Sequence, residues 1–174
     1  REANRGSEGI YCGAALELRD GTIITGSNSP LMHAASSLVL NAIKSLAEIP
    51  DKIHLLPASI TDTLSHFKKN ILKGKKISLD LEETLIALAI SATMNPAAQG
   101  AVEKLKELRG CEVHITHIPT PGDEAGLRKL GVNLTCASLA AAVLLVCGAA
   151  AQTALINGAG ATFPCRIYSK WFDV

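Results

Sequence analysis

Residues 10–25 read Ile10-Tyr-Cys-Gly-Ala-Ala-Leu-Glu-Leu-Arg-Asp-Gly-Thr-Ile-Ile-Thr25. Two short apolar runs, 10–18 and 22–25, flank the pair Asp20-Gly21. An Asp-Gly pair between two such runs is a strong hairpin signal, because glycine readily adopts the positive φ that a tight turn requires. The stretch therefore predicts an N-terminal β-hairpin.

The rest of the chain alternates helical and strand-like patterns. Apolar residues recur at helical spacing over 31–49, 59–72, 78–94 and 96–108. Ser29 is the predicted N-cap of the first helix, with Pro30 at its first position. We further predict strands at 53–56, 113–117 and 132–134, a turn at 119–124 and a short helix at 125–130. This alternation predicts an α/β fold: a mixed sheet that starts with a β-hairpin and has flanking helices.

Composition excludes several classes of protein. The 174 residues contain 17 Lys and Arg against 16 Asp and Glu, and only 3% are aromatic. We therefore expect no nucleic-acid partner, because such a partner requires a basic surface or exposed stacking rings. A hydrophobic content of 48% is sufficient for a packed core. The five cysteines include no CxxC pair, so neither a disulfide framework nor a zinc ribbon is indicated.

Charge is distributed unevenly along the chain. No charged residue occurs between Lys129 and Arg166, and this interval includes an Ala-rich apolar run. The break in composition near Thr135 predicts an α/β domain over 1–135 and an extra apolar C-terminal segment over 136–174. The run 136–151 is shorter than the about 20 residues that span a bilayer. Membrane contact is therefore expected only if the segment 136–155 inserts, and the alternative is a helix over 137–151 that packs on the domain.

The motifs of several well-known enzyme classes are missing. HExxH, GxSxG and GxxxxGK[ST] do not occur. His114 and His117 would point to opposite faces of the predicted strand and could not share a metal ion there. We therefore predict no metal site, no cofactor and no complete active site in this chain.

The hairpin, loop and helix at the start of the chain resemble the zinc cytidine-deaminase fold. In those enzymes the helix start carries a metal-binding His or Cys two residues before a catalytic Glu, and the next strand leads into a Pro-Cys-x-x-Cys helix. The corresponding segments here read His33-Ala-Ala35 and Pro57-Ala-Ser-Ile60. The carboxylate and both thiolates are absent, and one histidine cannot hold a catalytic zinc, which needs about three protein ligands. The resemblance implies a deaminase-like scaffold without zinc ligands.

Residues 1–135 also resemble a bacterial family, uncharacterised protein family 0371, which contains domain of unknown function 1846. The segments that carry the resemblance are 9–18, 28–37, 78–86, 95–99 and 117–131. It implies that these residues are the C-terminal part of a longer protein, whose N-terminal part with its Gly-Ser-Gly-Lys segment is missing here. The family offers no established activity. Its polar motifs match at six positions, which become the candidate site residues: Asn28, His33, Asn95, His117, Asp123 and Glu124.

The tail, 137–174, resembles a different class of protein. Residues 137–151 look like the apolar core of a secretory signal, and 155–172 resemble the mature start of a periplasmic phosphate-binding protein of the ABC-transporter type. That resemblance implies phosphate contacts at Thr162 and Phe163. We therefore expect two unrelated pieces: a cytoplasmic domain over 1–135, and a tail with an export-signal-like segment in an internal position.

Three functions are compatible with these patterns. The leading one is a ligand-binding or assembly module of a truncated bacterial protein, with a small-molecule ligand or further copies of the chain as partners. The second is a small-molecule enzyme whose site would combine His33, Asn95 and the segment 117–124, provided that they converge in one cleft. The third is a fragment of the substrate-binding protein of a phosphate ABC transporter.

Overall fold

A computed structural model describes residues 10–74 and 76–136, and it confirms the predicted mixed α/β fold. The strands of the described residues are β1 Gly13–Glu17, β2 Ile23–Ser27, β3 Glu112–Ile115 and β4 Asn133–Cys136. They form one sheet in the order β2-β1-β3-β4. Strand β1 pairs with both β2 and β3 in antiparallel fashion, whereas β3 and β4 are parallel.

Five α-helices accompany these strands in the described part of the chain. They are α1 Ala34–Leu46, α2 Ala58–His66, α3 Leu81–Ala92, α4 Pro96–Lys104 and α5 Pro121–Leu130. A π-helical turn extends α2 over Phe67–Ile71, and a 3-10 turn extends α4 over Leu105–Leu108. None of the helices in the described ranges has the length and apolar character needed to cross a membrane.

One face of the sheet packs against helices to form the core. Leu16 and Val113 are register partners on this face, and both are fully buried. Helix α1 lies so close to β2 that a Cβ atom at Gly26 would fall 2.3 Å from the backbone nitrogen of Leu38. Only a glycine allows this approach, so Gly26 determines how α1 sits on the hairpin.

The prediction that Ser29 caps α1 is wrong, because the helix begins at residue 34 with His33 as its N-cap. The Ser29 hydroxyl instead accepts hydrogen bonds from the N–H groups of Leu31 and Met32, at 3.3 and 3.2 Å. Leu79 forms an isolated parallel bridge with Met32, in which its carbonyl accepts from the N–H of His33 at 2.9 Å. This bridge holds 31–33 in an extended conformation, so α1 cannot begin before residue 34.

The strand predicted at 53–56 does not form. Leu55 is buried, but its carbonyl accepts a hydrogen bond from the Ser91 hydroxyl at 2.6 Å. The carbonyl of His54 accepts from the side-chain amide of Asn95 at 3.2 Å. Because side chains at the end of α3 and the start of α4 satisfy these carbonyls, the segment enters the core without joining the sheet.

The turn predicted at 119–124 is instead the beginning of α5. Pro121 occupies the first helical position, where a backbone N–H would have no partner within the helix, so proline loses no hydrogen bond there. Thr120 is the N-cap, and its hydroxyl accepts a hydrogen bond from the N–H of Asp123 at 3.3 Å. Strand β3 ends at residue 115, so His117 lies in the following loop and not on the strand as predicted.

Candidate functional site

Asp123 lies in the first turn of α5 and is only 1% exposed. Its Oδ2 atom accepts hydrogen bonds from Nδ1 of His33 at 2.8 Å and from the hydroxyl of Thr120 at 2.7 Å. Its Oδ1 atom accepts from the N–H of Leu81 at 2.9 Å. A carboxylate can be buried at tolerable cost only when its lone pairs are occupied in this way. Asp123 thereby joins the N-terminal ends of α1, α3 and α5.

The pKa of the Asp123 carboxyl lies below its ordinary value. Burial, the largest single effect, raises this pKa, but the hydrogen bonds from His33 and Thr120 lower it. The charge of His33 and the N–H of Leu81 lower it further, and together these effects exceed that of burial. Asp123 is therefore an ionised carboxylate at neutral pH.

The ionised carboxylate determines which nitrogen of His33 carries the proton. A carboxylate has no proton to donate, so the proton between Asp123 and His33 belongs to Nδ1 of the imidazole. A neutral His33 then has its lone pair on Nε2, for which no hydrogen-bond partner is found among the described residues. The side chain of His33 is 20% exposed. The pair thus presents an oriented imidazole whose second nitrogen can accept or release a proton.

His117 is the second histidine at this site. Its Nδ1 atom is buried and has no hydrogen-bond partner in the part of the chain that the structure describes. Burial lowers the pKa of His117, the charge of Asp123 raises it and the charge of His33 lowers it. The ring therefore lies within electrostatic reach of both members of the pair, and its lowered pKa leaves it mostly neutral at pH 7.

Asn28 positions the chain segment beside the pair. Its side-chain oxygen accepts from the N–H of Cys12, and its amide donates to the carbonyl of Ile10, both at 2.9 Å. Burial raises the pKa of the Cys12 thiol, Lys76 lowers it and Asp123 raises it, with a net increase. A thiol with a raised pKa is protonated at neutral pH, so Cys12 is not an activated nucleophile.

Two of the predicted site residues make contacts elsewhere. Asn95 caps α4 by accepting hydrogen bonds from two N–H groups of the first turn of that helix. Glu124 pairs with Arg128 at 2.7 Å on the surface of α5. Neither contacts His33 or Asp123 through a hydrogen bond or ion pair. Within 10–74 and 76–136, no three His, Cys, Asp or Glu side chains are grouped so that they could hold a metal ion.

Three groups at the site were not among the six candidate residues: the Thr120 hydroxyl, which lies within the candidate segment 117–124, the Leu81 N–H and Cys12. The spacing Thr120-x-x-Asp123 is typical of a capping box and could have located both the start of α5 and the first of these groups. No local sequence pattern could have predicted the role of the Leu81 N–H, because its hydrogen bond to Asp123 joins residues 42 positions apart.

A separate groove of about 530 Å³ lies beside α1. Its size falls in the range of small-molecule sites, and its walls combine apolar side chains with polar ones that include Lys44 and His54. Among the residues that line it are Leu31, Leu40, Ile53, Leu56, Ser37 and Asn41. His33 and Asp123 are not part of its walls.

The predicted positions Thr162 and Phe163, and all other predictions for 137–174, fall outside the described residues. The phosphate-binding-protein resemblance of the tail and the boundary near residue 135 therefore stay predictions.

Comparison with known proteins identifies the family. A UPF0371 protein of Clostridium botulinum (strain Alaska E43 / Type E3) is 50% identical over 122 residues, which are 70% of this chain and 24% of the relative. For the UPF0371 protein of Clostridium tetani (strain Massachusetts / E88) the identity is 46% over 127 residues, or 73% of this chain and 25% of the relative. The chain thus spans about a quarter of the length of the curated relatives that it matches. Residues 1–141 match the family model described as "Domain of unknown function DUF1846, C-terminal". The chain therefore belongs to the family of the DUF1846 C-terminal domain, as its sequence motifs predict.

Proposed function

We propose that this domain is a ligand-binding module that contributes a histidine–aspartate proton-transfer pair to a site completed by the rest of the longer protein. One observation carries the proposal: Nδ1 of His33 lies 2.8 Å from Oδ2 of Asp123, a carboxylate that is 1% exposed. This contact maintains one ring orientation and one tautomer of the imidazole. General acid–base catalysis requires both, together with an accessible second nitrogen.

A purely structural role explains the burial of Asp123 less well. Helix α5 is already capped by Thr120, and α3 has a complete capping box formed by Asp80 and Glu83. Burying a carboxylate is expensive, and apolar residues of similar volume often stabilise a protein equally well. A buried carboxylate that orients an imidazole, whose second ring nitrogen has no partner among the described residues, is instead typical of a functional site.

The pair alone is not a complete catalytic set. The cluster supplies a proton acceptor or donor, while the Cys12 thiol is protonated and does not supply a nucleophile. Because the relatives are about four times longer than the matched segment, the remaining groups and the walls of the ligand site are expected from their other parts. Sites of this kind commonly form where two domains meet.

Chemical modification of histidine tests the proposal. Diethyl pyrocarbonate acylates an imidazole nitrogen that carries a lone pair, and mass spectrometry locates the modified residue. In the 174-residue chain we expect Asp123→Asn to slow the modification of His33 by roughly tenfold. The asparagine amide would donate to Nδ1, so the ring proton would move to Nε2 and remove the accessible lone pair.

Glu124→Gln is the matched control, because it alters the adjacent acid, which does not contact His33. The rate at His33 should be unchanged in this variant, and the rate at exposed His66 should be unchanged in both variants. An equal rate at His33 in the wild type and in Asp123→Asn would contradict the proposal.

The tail provides a second candidate function. Its resemblance to a phosphate-binding protein implies that the Thr162 hydroxyl and the backbone at Phe163 contact phosphate. Calorimetry of the 174-residue chain with inorganic phosphate tests this function. Heat that disappears in Thr162→Val would support it, and heat that persists in that variant would assign phosphate binding to another part of the chain.

A further inference from the structure

We infer that two glycines of α5, Gly122 and Gly126, are positioning residues of the histidine–aspartate pair. Because they have no side chains, α5 lies close enough to the start of α3 for Asp123 to reach His33. The inference rests on the proposed function, since it names the residues that hold the proposed proton-transfer pair together.

Gly122 lies against the side chain of Asp80. A Cβ atom at Gly122 would fall 2.2 Å from Oδ2 and 2.6 Å from Cγ of Asp80, which is closer than packed atoms can approach. The carboxyl group cannot turn away freely, because its Oδ1 atom accepts the N–H of Glu83 at 2.9 Å in the capping box of α3. The first turn of α5 therefore keeps this position only without a side chain at residue 122.

Gly126 makes the same kind of contact one turn later. A Cβ atom there would fall 2.8 Å from Cγ and 2.9 Å from Cδ2 of Leu81, whose side chain is fully buried. Residues four positions apart share one face of a helix. The two glycines thus form a flat face by which α5 packs on the start of α3.

Backbone conformation does not explain these two glycines. Neither has the positive φ that glycine adopts more readily than other residues, and both lie within α5. Glycine is the poorest helix former after proline, yet it occupies two of the ten positions of α5. What Gly122 and Gly126 provide is therefore the space for a close approach.

The segment 79–81 at the start of α3 holds both members of the pair. The carbonyl of Leu79 accepts a hydrogen bond from the N–H of His33 at 2.9 Å. The N–H of Leu81 donates to Oδ1 of Asp123, also at 2.9 Å. The distance of α5 from this segment thus decides whether Oδ2 of Asp123 reaches Nδ1 of His33, which lies 2.8 Å away.

The contact distances show how small a displacement would separate the pair. In Gly122→Ala, the new methyl group must move from 2.2 Å to an ordinary contact of 3.4 Å from Asp80, a shift of about 1.2 Å. Hydrogen bonds to a carboxylate are made at about 2.7–3.2 Å, so a shift of this size breaks bonds of 2.8 and 2.9 Å. Gly122→Ala should therefore separate Asp123 from His33 without changing either of them.

The tautomer of His33 reports whether the pair is intact. Long-range 1H–15N NMR of the 174-residue chain, at a pH where His33 is neutral, measures the fraction of rings with the proton on Nδ1. In Gly122→Ala this fraction should fall to about half or less, because a neutral imidazole without its acceptor carries the proton on either nitrogen. In Gly126→Ala the fall should be smaller, since the new methyl group meets the branched end of the Leu81 side chain and not a hydrogen-bonded carboxyl group.

A second substitution separates a positioning role from a general loss of stability. Asp80→Gly removes the group that the new methyl meets, and glycine is tolerated as an N-cap. The double variant Gly122→Ala/Asp80→Gly should thus recover the wild-type tautomer, although α3 has lost its capping box. Asp80→Gly alone should keep that tautomer. Gly100→Ala is the matched control, since it adds a methyl group to a helix where no atom lies within 4 Å.

The inference is overturned if a folded Gly122→Ala has the wild-type tautomer, or if the folded double variant does not recover it. If Gly122→Ala does not fold, as judged by its amide spectrum, Gly126→Ala decides, and an unchanged tautomer there would overturn the inference. Failure of the proposed function gives a different result, a wild-type His33 with its proton on Nε2. A tautomer that changes in Asp123→Asn but in neither glycine variant would retain the pair and remove only the role of the glycines.

Discussion

At the scale of single residues, two adjacent acids have different roles. The sequence presents Asp123 and Glu124 as an equivalent pair at a helix start. In the fold, Asp123 is buried and accepts from three donors, whereas Glu124 forms an exposed ion pair with Arg128. The difference follows from the helical rotation of about 100° per residue, which turns one side chain toward α3 and the next toward solvent.

This difference predicts unequal effects on stability. Asp123→Ala should lower the free energy of unfolding by roughly 1–3 kcal/mol, because it leaves the Leu81 N–H and the His33 ring without their buried acceptor. Glu124→Ala should cost no more than about 0.5 kcal/mol, since exposed ion pairs contribute little. Urea denaturation of both variants measures the effects, and equal losses would contradict the assigned burial.

The lowered pKa of Asp123 predicts a dependence of stability on pH. Because the folded carboxyl has a lower pKa than the unfolded one, at about 3.9, the unfolded state binds more protons in the window between the two values. The contribution of Asp123 is thus present above about pH 4 and is lost as pH falls through the folded pKa. Asp123→Asn should lose less stability than the wild type in urea denaturation between pH 5 and pH 2. If the free energy of unfolding fell equally with pH in both proteins, the pKa of the Asp123 carboxyl would not be lowered by folding.

At the scale of elements, local patterns predicted the hairpin and most helices correctly. They also predicted a strand at 53–56 that does not form, because nothing within that segment shows that its carbonyls bond to side chains of α3 and α4. Asp20-Gly21 and the apolar spacing along α1 and α3 are signals contained within one segment. The start of α1 depends on the bridge between Met32 and Leu79, which are distant in sequence. Helix α5 began earlier than predicted because Pro121 fits a first helical turn as well as it fits a loop.

The approach of α1 to β2 predicts opposite effects for two glycine substitutions. Gly26→Ala should destabilise the protein by about 1–3 kcal/mol, because the new methyl group would collide with backbone atoms of Leu38 and Ala34. Gly100→Ala in α4 is the matched control, since its Cβ would meet no atom within 4 Å. It should stabilise the helix by about 0.5–1 kcal/mol. Thermal denaturation compares the two, and a neutral Gly26→Ala would contradict the packing of α1 on the hairpin.

At the scale of the whole molecule, the candidate site is assembled from segments that are remote in sequence. His33 and Asp123 are 90 positions apart, and the N–H of Leu81 lies between them in the chain. The sequence indicated which residue types deserved attention but not which of them meet, because Asn95 and Glu124 match family motifs as well as His33 does. Only the packing of α1, α3 and α5 shows that His33 meets Asp123, whereas Asn95 and Glu124 make their contacts elsewhere.

The same packing predicts that the α/β domain folds without the tail. The core cluster of the described residues runs from Ala14 to Val132 and joins the sheet to its helices. A chain that ends at Cys136 should therefore unfold cooperatively, with a free energy of unfolding within about 0.5 kcal/mol of that of the 174-residue chain. Loss of the cooperative transition in the shortened chain would show that 137–174 contributes to the core.

The tautomer of His33 tests the central claim most directly. Long-range 1H–15N NMR of the 174-residue chain, at a pH where His33 is neutral, distinguishes a proton on Nδ1 from one on Nε2. We expect Nδ1–H in the wild type, because the ionised Asp123 accepts from that nitrogen, and Nε2–H in Asp123→Asn. A wild-type His33 with its proton on Nε2, or the same tautomer in both proteins, would contradict the proposed proton-transfer pair.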